Sequence, residues 1–595
     1  MSKGSQMKPE VKKVVLAAIN AKYIHSCLAV YSLRANAGKY KSQVSICEYT
    51  INHSAEDILA ALYEEKADII GFSCYLWNIE YVRSIAADLK RISPELRIVA
   101  GGPEVSGRPE EFLRENDCFD LVMVGEGEET FAELLDYYIG GSGKLAEIQG
   151  LVYREDGEIL RTLPRAGLSM DALAFPYEGV SRMENRIIYY ESMRGCPFSC
   201  SYCLSSIEKS VRIKSLEKTK REIDFFLQAK VPQVKFVDRT FNCSHEHAYG
   251  IWSHIKERDN GITNFHFEIA ADLLREEDFC LFRDMRQGLI QFEAGVQSTN
   301  PATIEAIGRT MDLERLRVNI GRLRENRNIH IHLDLIAGLP FEDYNRFSQS
   351  FCDVYRMGPD QLQLGFLKLL YGSGMRMEEE KYGIIASSRP SYEVHATNWL
   401  SYEDIRKLKQ VEEMVEVYYN SAQFVVTLDY LEHFFPDSFA MYESLGKYYK
   451  RNNLFGRKHS RLSRYDILWN FAIDLPEVSE ECLREMLTYD LYSREYVKNP
   501  PSFVKARSRE EKEKIREFFQ RAKKEEMLPA GYSGYTAAQL QHMLYLHIFH
   551  YDMELSKRTG EAVKEEPYAL LFDYRERSPL DHSARVLRIG REYFL

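Results

Sequence analysis

The sequence lacks the features that membrane, secreted and nucleic-acid-binding proteins usually carry. No stretch of its 595 residues approaches the ~20 consecutive apolar residues that span a bilayer, and residues 1–13 are polar and hold no apolar secretion signal. Lysine and arginine number 78 against 89 aspartates and glutamates, and the resulting net charge of −11 repels polyanions. We therefore expect a cytoplasmic protein without a membrane partner, and nucleic acid is a disfavoured partner.

The sequence also has no internal repeat, no low-complexity tract and no disulfide framework. Eleven cysteines are an odd number, and most stand alone in apolar segments, as buried thiols do in a reducing compartment. Apolar residues make up 45% of the chain and charged residues 28%, which is the composition of a folded globular protein. At this length several domains are expected.

Alternating strand and helix patterns predict an α/β protein with a helical C-terminal domain. Residues 12–140 are predicted to form a Rossmann-like domain with five parallel strands, at 14–20, 43–49, 68–74, 97–101 and 121–124. Residues 141–184 hold short strands and proline turns and are interpreted as a connector. Residues 185–375 are predicted to form a partial (β/α)6 barrel, with strands at 187–192, 234–238, 264–270, 289–294, 330–336 and 361–366. Residues 376–595 are predicted to be mainly helical, with helices at 402–419 and 509–526 and strands at 547–555 and 568–575.

Three cysteines share one predicted loop after the first barrel strand. Cys196, Cys200 and Cys203 are spaced C-x3-C-x2-C. Three thiolates can bind three irons of a [4Fe-4S] cluster and leave the fourth iron open to an outside ligand. A zinc site would need further ligands, and Cys243, which His245 and His247 follow closely, is the open alternative.

The cysteine spacing, with Tyr202 before the last cysteine, resembles the signature of the radical SAM enzymes. The resemblance implies that the open iron binds S-adenosylmethionine (SAM) and that the reduced cluster cleaves SAM to a 5'-deoxyadenosyl radical. Two later segments extend it. The first resembles the family segment that faces the ribose and methionine parts of SAM, and the second resembles the segment whose main chain meets the adenine. The residues concerned are Glu293, Gln297 and Ser298 in the first and Gly338 in the second.

The sequence departs from the family pattern at the second barrel strand. Many members carry a Gly-Gly-Glu turn there that holds the amino group of SAM, whereas this chain has Asp238-Arg239. Asp238 is a candidate to accept hydrogen bonds from the ammonium group, and a structural ion pair with Arg239 is the alternative. Glu268, at the end of the third strand, carries the same two interpretations.

The first predicted domain resembles the cobalamin-binding domain of B12-dependent radical SAM enzymes, which include the class B methyltransferases. Two of its loops resemble strand-end loops where small residues let the corrin and its nucleotide tail approach the backbone. The matching residues are Gly101, Gly102 and Pro103 in one loop and Gly125, Glu126 and Gly127 in the other. A Rossmann nucleotide site is disfavoured because no Gly-x-Gly-x-x-Gly follows the first strand.

The lower face of the cobalamin is expected to lack a histidine ligand. The Asp-x-His-x-x-Gly string of the mutase-type domains is absent, and the spacing of His25 from Asn20 does not replace it. In the methylase subgroup a bulky side chain can shield that face. Trp77 is the candidate here, with Tyr75 in reserve, and packing of both rings at the domain interface is the alternative.

Together the resemblances imply an enzyme that uses a [4Fe-4S] cluster, SAM and cobalamin to methylate an unactivated carbon of an unknown substrate. A rearrangement or cyclisation without methyl transfer, a tRNA modification and a non-catalytic sensor are the alternatives. The implied partners are a small-molecule or macromolecular substrate and a reductant such as flavodoxin or ferredoxin. The C-terminal domain is expected to cap the barrel mouth and to help select the substrate.

Overall fold

The computed structural model describes residues 13–180, 183–524, 528, 530–532 and 534–590. Its first sheet has seven strands in the order β2-β1-β3-β4-β5-β6-β7. The strands are β1 (Val14–Asn20), β2 (Val44–Thr50), β3 (Ile69–Ser73), β4 (Arg97–Gly101), β5 (Leu121–Met123), β6 (Leu151–Glu155) and β7 (Glu158–Arg161). The helices are α1 (Leu28–Ala35), α2 (Ala55–Glu64), α3 (Ile79–Ile92), α4 (Pro103–Ser106), α5 (Pro109–Glu115) and α6 (Glu128–Tyr138).

The five predicted strands of this sheet are parallel, and two more strands extend it. β6 pairs with β5 and β7 pairs with β6, both antiparallel, although these strands lie in residues 141–184, which the sequence analysis interpreted as a connector. Helices cover both faces, so the central strands are apolar throughout. All seven residues of β1 are buried, with Val15 in the core on one face and Leu16 in the core on the other.

The second sheet is the predicted partial barrel of six parallel strands, in the order β15-β14-β13-β12-β11-β8. The strands are β8 (Ile187–Tyr190), β11 (Gln233–Phe236), β12 (Asn264–Glu268), β13 (Ile290–Gln297), β14 (His330–Ala337) and β15 (Gln361–Phe366), and β9 (Met193–Arg194) pairs with β10 (Arg212–Ile213) in a separate ribbon. The helices are α7 (Leu216–Gln228), α8 (His245–Glu257), α9 (Glu276–Arg283), α10 (Pro301–Ala306), α11 (Leu313–Glu325), α12 (Tyr344–Arg356) and α13 (Gly374–Met377).

Both open edges of the partial barrel are bound by neighbouring parts of the chain. At β8 the backbone N–H of Ile187 donates to the carbonyl oxygen of Ile24 in the first domain at 2.7 Å. At β15 the Asn420 side chain accepts from the backbone N–H of Leu362 at 2.9 Å and donates to its carbonyl oxygen at 3.0 Å. These bonds satisfy edge groups of Ile187 and Leu362 and join the barrel to both of its neighbours.

The C-terminal region is mainly helical and ends in a three-stranded sheet. Its helices are α14 (Tyr402–Met414), which continues as a π-helical turn (Val415–Tyr419), α15 (Val425–Glu432), α16 (Ser438–Arg451), α17 (Arg461–Ala472), α18 (Glu480–Arg494), α19 (Arg509–Lys524), α20 (Ala537–Met543) and α21 (Met553–Thr559). Its strands are β16 (Ile385–Ala386), β17 (Val394–Ala396), β18 (Leu544–Tyr551), β19 (Lys564–Arg577) and β20 (Ala584–Ile589). Within the described ranges no helix combines the length and the apolar character that a bilayer crossing needs.

Two predictions for this region differ from the structure. The predicted strand 547–555 ends at Tyr551, because the Asp552 side chain accepts from the backbone N–H of Leu555 and caps α21. The strand β20 was not predicted at all. The predicted helix 509–526 corresponds to α19, and its residues 525 and 526 lie outside the described residues.

Candidate functional site

The three cysteines of the C-x3-C-x2-C motif lie on one loop, residues 195–211, which the β9–β10 ribbon closes at its base. None of them forms a disulfide; Cys196 and Cys200 are buried and Cys203 is half-buried. Gly195 has φ +89°, and a Cβ there would lie 2.3 Å from the carbonyl oxygen of Ser210. The loop can therefore close only around a glycine, and this one loop carries all three thiols.

A buried arginine lies against this loop. The Arg309 guanidinium is 3.8 Å from the Cys200 sulfur and 3.2 Å from the Tyr202 hydroxyl, and it also donates to the carbonyl oxygen of Gly295. Burial raises the pKa of the Cys200 thiol, while the positive charge of Arg309 acts to lower it. The guanidinium thus favours thiolate at this position. Sequence reasoning missed Arg309, which follows Gly308 as an isolated basic residue without a motif of its own.

Asp238 lies beneath the start of the cysteine loop. It accepts from the backbone N–H of Met193 at 2.6 Å and from the backbone N–H and the hydroxyl of Ser192, each at 2.9 Å. Burial raises its pKa to about 7 despite these hydrogen bonds. The ion pair with Arg239 does not form, because Arg239 lies 3.7 Å from Glu268 instead. Asp238 therefore anchors the segment before the first cysteine, with both carboxylate oxygens already engaged.

The proposed zinc ligands around Cys243 have separate partners. The Nε2 atom of His245 is 3.0 Å from an Asp278 carboxylate oxygen, and the Nε2 atom of His247 is 3.1 Å from the Ser192 hydroxyl. One ring nitrogen of each histidine is therefore already engaged by a residue other than Cys243.

The lumen of the barrel carries ionisable side chains from four neighbouring strands. They are Lys235 on β11, His266 and Glu268 on β12, Glu293 on β13, and His332 and Asp334 on β14. A carboxylate oxygen of Glu293 is 2.9 Å from the Lys235 ammonium and 3.0 Å from the His266 ring. Burial acts to raise the pKa of Glu293, but His266 and Lys235 outweigh it and hold that pKa far below its ordinary value. These charges form one balanced network rather than isolated ions.

The same network contains a compact group of oxygen and nitrogen atoms. One ligand atom from each of Glu293, His332 and Asp334 lies within 4.8 Å of the others. The Lys235 ammonium already supplies a positive charge to this group. The sequence signal for the network is the polar residue at every second position of otherwise apolar strands, which sequence reasoning used only for Glu268 and Glu293.

The residues of the predicted SAM segments after β13 and β14 differ in whether other protein groups already contact them. Gln297 has φ +72° and is buried, and its Oε1 atom finds no hydrogen-bond partner among the described residues. Ser298 donates to Glu342 at 2.6 Å. A Cβ at Gly338, where φ is +93°, would lie 2.6 Å from a Val394 methyl group. The buried amide oxygen of Gln297 is thus left unsatisfied, whereas Ser298 and Gly338 are packed against the protein.

The loop after β4 packs on the loop after β3. The Cys74 N–H donates to the Gly101 carbonyl at 2.7 Å. Gly102 has φ +117°, and a Cβ there would lie 2.5 Å from the Cys74 carbonyl oxygen. Pro103 is the first residue of α4. At Gly102 the missing side chain therefore makes room for the neighbouring backbone.

The loop after β5 is more open. Gly125 has φ +81°, and no described atom lies within 4 Å of the position that its Cβ would take. Gly127 is packed, since a Cβ there would lie 2.9 Å from a Leu33 methyl group. The Glu126 carboxylate accepts from the Arg212 guanidinium at 3.2 Å. Gly125 is the residue of this loop beside which a ligand has room.

The loop after β3 presents two stacked aromatic rings. The rings of Tyr75 and Trp77 are 4.5 Å apart and 8° from parallel. The Trp77 indole N–H donates to the Ile19 carbonyl at 3.1 Å, and 45% of Trp77 is exposed. The stack fixes both rings while it leaves a broad apolar surface uncovered.

These features fit the three groups that the sequence implies. Soft thiols on one loop suit an iron-sulfur cluster. The unsatisfied amide oxygen of Gln297 suits a ligand hydroxyl such as that of a ribose. The opening at Gly125 and the exposed Trp77 ring suit a flat macrocycle at the strand ends of the first domain.

Comparisons with known families match the first domain and the barrel separately. The B12 binding domain matches residues 14–135, and the Radical SAM superfamily matches residues 190–351. Residues 380–572 match a family described only as a protein of unknown function, DUF4080. The first two matches imply cobalamin, SAM and a [4Fe-4S] cluster as cofactors.

Individual relatives are similar to this chain at low identity. An uncharacterized methyltransferase of Pyrococcus horikoshii is 27% identical over 299 residues, which cover 48% of this chain and 63% of that protein. The cobalamin-dependent radical SAM methyltransferase TokK of Streptomyces tokunonensis is 26% identical over 350 residues, which cover 54% of this chain and 50% of that protein. The chain thus spans less than two thirds of either relative.

A solved structure shares the fold over most of the chain. The cobalamin-dependent S-adenosylmethionine radical enzyme OxsB, with aqua-cobalamin and SAM bound, superposes with a TM-score of 0.56 at 15% identity over 81% of this chain and 79% of that one. This likeness concerns the fold alone. The two family matches show that the chain combines a B12 binding domain with a Radical SAM domain.

Proposed function

We propose that the chain is a methyltransferase that transfers a methyl group to an unactivated carbon of its substrate. The observation that carries this proposal is the contact between the strand-end loops of the two α/β domains. Arg194, two residues before Cys196, lies 3.0 Å from Glu126 in the loop after β5. A cofactor held by each set of loops would share one gap with the substrate, so that a bimolecular encounter becomes a local step.

When bound, the cluster supplies the 5'-deoxyadenosyl radical from SAM, and cobalamin supplies the methyl group. Cys196, Cys200 and Cys203 would hold the cluster. The Arg309 guanidinium would stabilise negative charge beside Cys200, either of the thiolates or of a ligand carboxylate. Gln297 would orient a ribose hydroxyl through its unsatisfied amide oxygen.

Charged groups of the lumen would fix the polar floor of this site. The ion pair of Lys235 and Glu293 holds the His266 ring at 3.0 Å from the carboxylate. Glu268 lies level with Glu293 on the neighbouring strand, Asp334 lies one step nearer to the strand ends, and burial raises the pKa of each of these two carboxyl groups. These two groups are the ones placed to contact polar atoms of SAM or of the substrate.

In the first domain, Trp77 would shield the lower face of the cobalamin and Gly125 would leave room for its tail. The Tyr75 ring supports Trp77 from behind by stacking. Because the Trp77 indole is held by the Ile19 carbonyl, its exposed face has a defined orientation toward a bound macrocycle. The packed glycines Gly102 and Gly127 would shape the loops rather than touch the ligand.

The C-terminal region would close the gap and help to select the substrate. The Tyr392 hydroxyl donates to the buried Glu104 carboxylate in the first helical turn after β4. Gly107 nearby packs against the backbone of Tyr371. The chain after the barrel thus reaches back to the strand ends of the first domain. We further propose a cytoplasmic location and a reductant such as flavodoxin or ferredoxin.

The test is anaerobic reconstitution with iron, sulfide and cobalamin, followed by analysis of SAM products under reduction. About four irons per chain, a bound corrinoid and 5'-deoxyadenosine support the two-cofactor enzyme. S-adenosylhomocysteine together with a substrate that gains one methylene unit in mass supports methyl transfer. Formation of 5'-deoxyadenosine without S-adenosylhomocysteine would favour rearrangement or cyclisation, and a chain that binds no cluster would overturn the proposal.

A further inference from the structure

The acidic residues of the loop after β5 pair with the base of the cysteine loop. The Arg194 guanidinium lies 3.0 Å from the Glu126 carboxylate and 2.6 Å from the Glu128 carboxylate. Arg212 donates to Glu126 at 3.2 Å. One short loop of the first domain therefore holds both arginines that flank the three cysteines.

The two arginines are direct neighbours across the β9–β10 ribbon. Arg194 and Arg212 occupy opposite positions in the antiparallel pair. Two like charges in this arrangement repel each other. Glu126 bridges both guanidinium groups, so that the ribbon is stabilised by a residue from another domain.

The arginines also have acidic partners of their own segment. Glu191 lies 2.9 Å from Arg194, and Glu208 lies 2.8 Å from Arg212. These local pairs tie the arginines to the barrel side of the junction. Glu126 and Glu128 supply the connection across it.

Both interdomain carboxylates are held inside the junction. The Glu128 side chain is 7% exposed and accepts from the Ser32 hydroxyl at 2.7 Å, and Glu126 accepts from the Leu168 N–H at 3.2 Å. Burial acts to raise the pKa of each carboxyl group, but the arginines outweigh it and hold each pKa below its ordinary value. Both carboxylates thus remain charged, and an ion pair of this kind has a geometry that is costly to disturb.

We propose that Glu126 and Glu128, with Arg194 and Arg212, form a clamp that sets the position of the cysteine loop relative to the first domain. This inference rests on the proposed function, since the clamp would then fix the separation between the cluster and the corrin. The loop that carries the two glutamates also contains Gly125, which faces open space at the expected cobalamin site. A displacement of this loop would therefore be transmitted to both cofactors. The four residues are assigned as positioning residues, because their charged groups are engaged with one another.

Another interdomain ion pair provides a matched control. Arg186, just before β8, pairs with the buried Glu48 carboxylate on β2. This pair also joins the first domain to the barrel and is shielded from solvent to a similar extent. It includes no residue of the ribbon or of the loop after β5. Its loss should weaken the junction without releasing the cysteine loop.

The first experiment measures amide hydrogen exchange in the chain without cofactors, for the wild type, the Glu126→Gln/Glu128→Gln double variant and the Arg186→Gln control. We expect exchange at residues 195–211 to become about tenfold faster in the double variant and to stay near the wild-type rate in the control. Unchanged exchange in the double variant, or equal acceleration in the control, would overturn the clamp. If the double variant does not fold, Arg212→Lys replaces it, because lysine keeps the charge but loses the forked contact with Glu126.

The second experiment measures the separation itself in the loaded enzyme. Pulsed electron paramagnetic resonance between cob(II)alamin and the reduced cluster reports the distance between two unpaired spins. We expect one narrow distance in the wild type and in the control, and a shifted or broadened distribution in the double variant with normal iron and corrinoid content. The same distribution in all three proteins would overturn the role in cofactor spacing. A wild type that binds cluster but no corrinoid overturns the proposed function instead, and the exchange experiment still decides whether the clamp holds the loop.

Discussion

The first domain and the barrel are built from the same βα units, yet they place their polar side chains in opposite ways. In the first domain, β1 is buried at all seven positions, and both faces of the sheet pack against apolar side chains. In the barrel, β13 and β14 alternate between apolar residues beneath the helices and polar residues in the lumen, such as Glu293 and His332. One sheet is covered on both faces, and the other has a polar inner face.

This difference decides which atoms can meet a ligand. Where both faces of a sheet are covered, only the loops beyond the strand ends are accessible, and the first domain offers Gly125 and Trp77 in such loops. Where the strands enclose a lumen, the strands themselves carry polar groups that face it, as Glu268 and Asp334 do. The cysteine loop lies between the first domain and the barrel, and residues of both domains contact it.

The largest effect is expected at the cysteine loop. Cys200→Ala should reduce the iron content from about four per chain toward none and abolish 5'-deoxyadenosine formation, because the cluster loses one of its three thiolates. Iron analysis and the spectrum of the reconstituted protein measure this. Cys243→Ala is the matched control, since this thiol lies 3.8 Å from the Met193 sulfur but outside the loop, and it should retain the cluster. A cluster that survives Cys200→Ala or is lost in the control would contradict the assignment.

The next largest effect is expected in the network of charged side chains in the barrel lumen. Glu293→Gln should lower the free energy of unfolding by about 1 to 3 kcal/mol, because the partly buried Lys235 ammonium loses its nearest counter-charge. Urea denaturation of the chain without cofactors measures this. Glu314→Gln, which breaks an exposed pair with Arg317 on α11, should leave the unfolding midpoint unchanged. Similar midpoints for both variants would show that the lumen network contributes no more than a surface pair.

A smaller effect is expected at the loops of the first domain. Trp77→Ala should weaken cobalamin binding by about tenfold while the unfolding midpoint stays near that of the wild type, because the ring is half-exposed and stacks on only one neighbour. Equilibrium dialysis with cobalamin measures the affinity. Tyr63→Ala removes another exposed aromatic ring of the same domain, on α2, and should not change it. Equal affinities for all three proteins would remove Trp77 from the site.

A further expected effect is a pH dependence of stability at the anchor of the cysteine loop. The folded-state pKa of Asp238 is raised by burial to about 7, above its ordinary value of 3.8, so the fold favours the protonated form. The resulting stabilisation is complete below pH ~4 and is lost as the pH rises through about 7. The stability of the wild type relative to Asp238→Asn should therefore fall between these pH values, as measured by urea denaturation at several pH values. A relative stability that rises over this range would contradict the assignment.

A neighbouring histidine, His247, should make stability depend on pH in the opposite direction. Burial lowers the pKa of His247 from 6.5 to about 4, so the fold favours its neutral form. Its contribution is present above pH ~6.5 and is lost as the pH falls through about 4. Between pH ~4 and ~6.5 the stability of the wild type relative to His247→Gln should thus rise with pH. Over the same range the stability of the wild type relative to Asp238→Asn should fall.

Much of the fold follows from local patterns in the chain. The predicted strands 14–20, 97–101 and 361–366 agree with β1, β4 and β15, because runs of apolar residues bounded by turn residues fix such strands locally. β6 and β7 were read as pieces of a connector, since their place in the first sheet depends on antiparallel pairing with β5. The predicted strand 547–555 is wrong beyond Tyr551, because the capping bond of Asp552 favours a helix there.

What the sequence determined by itself is the kind of chemistry and the order of the domains. Three thiols within eight residues must lie on one loop whatever the rest of the chain does, and alternating strand and helix patterns specify parallel sheets. What only the tertiary structure decided is which charges meet. Arg212 lies 86 residues from Glu126 in the chain, and no local pattern predicts that the two pair. The same holds for Arg309 beside Cys200, because a long-range ion pair or hydrogen bond depends on how whole domains pack and on which polar groups this packing removes from water.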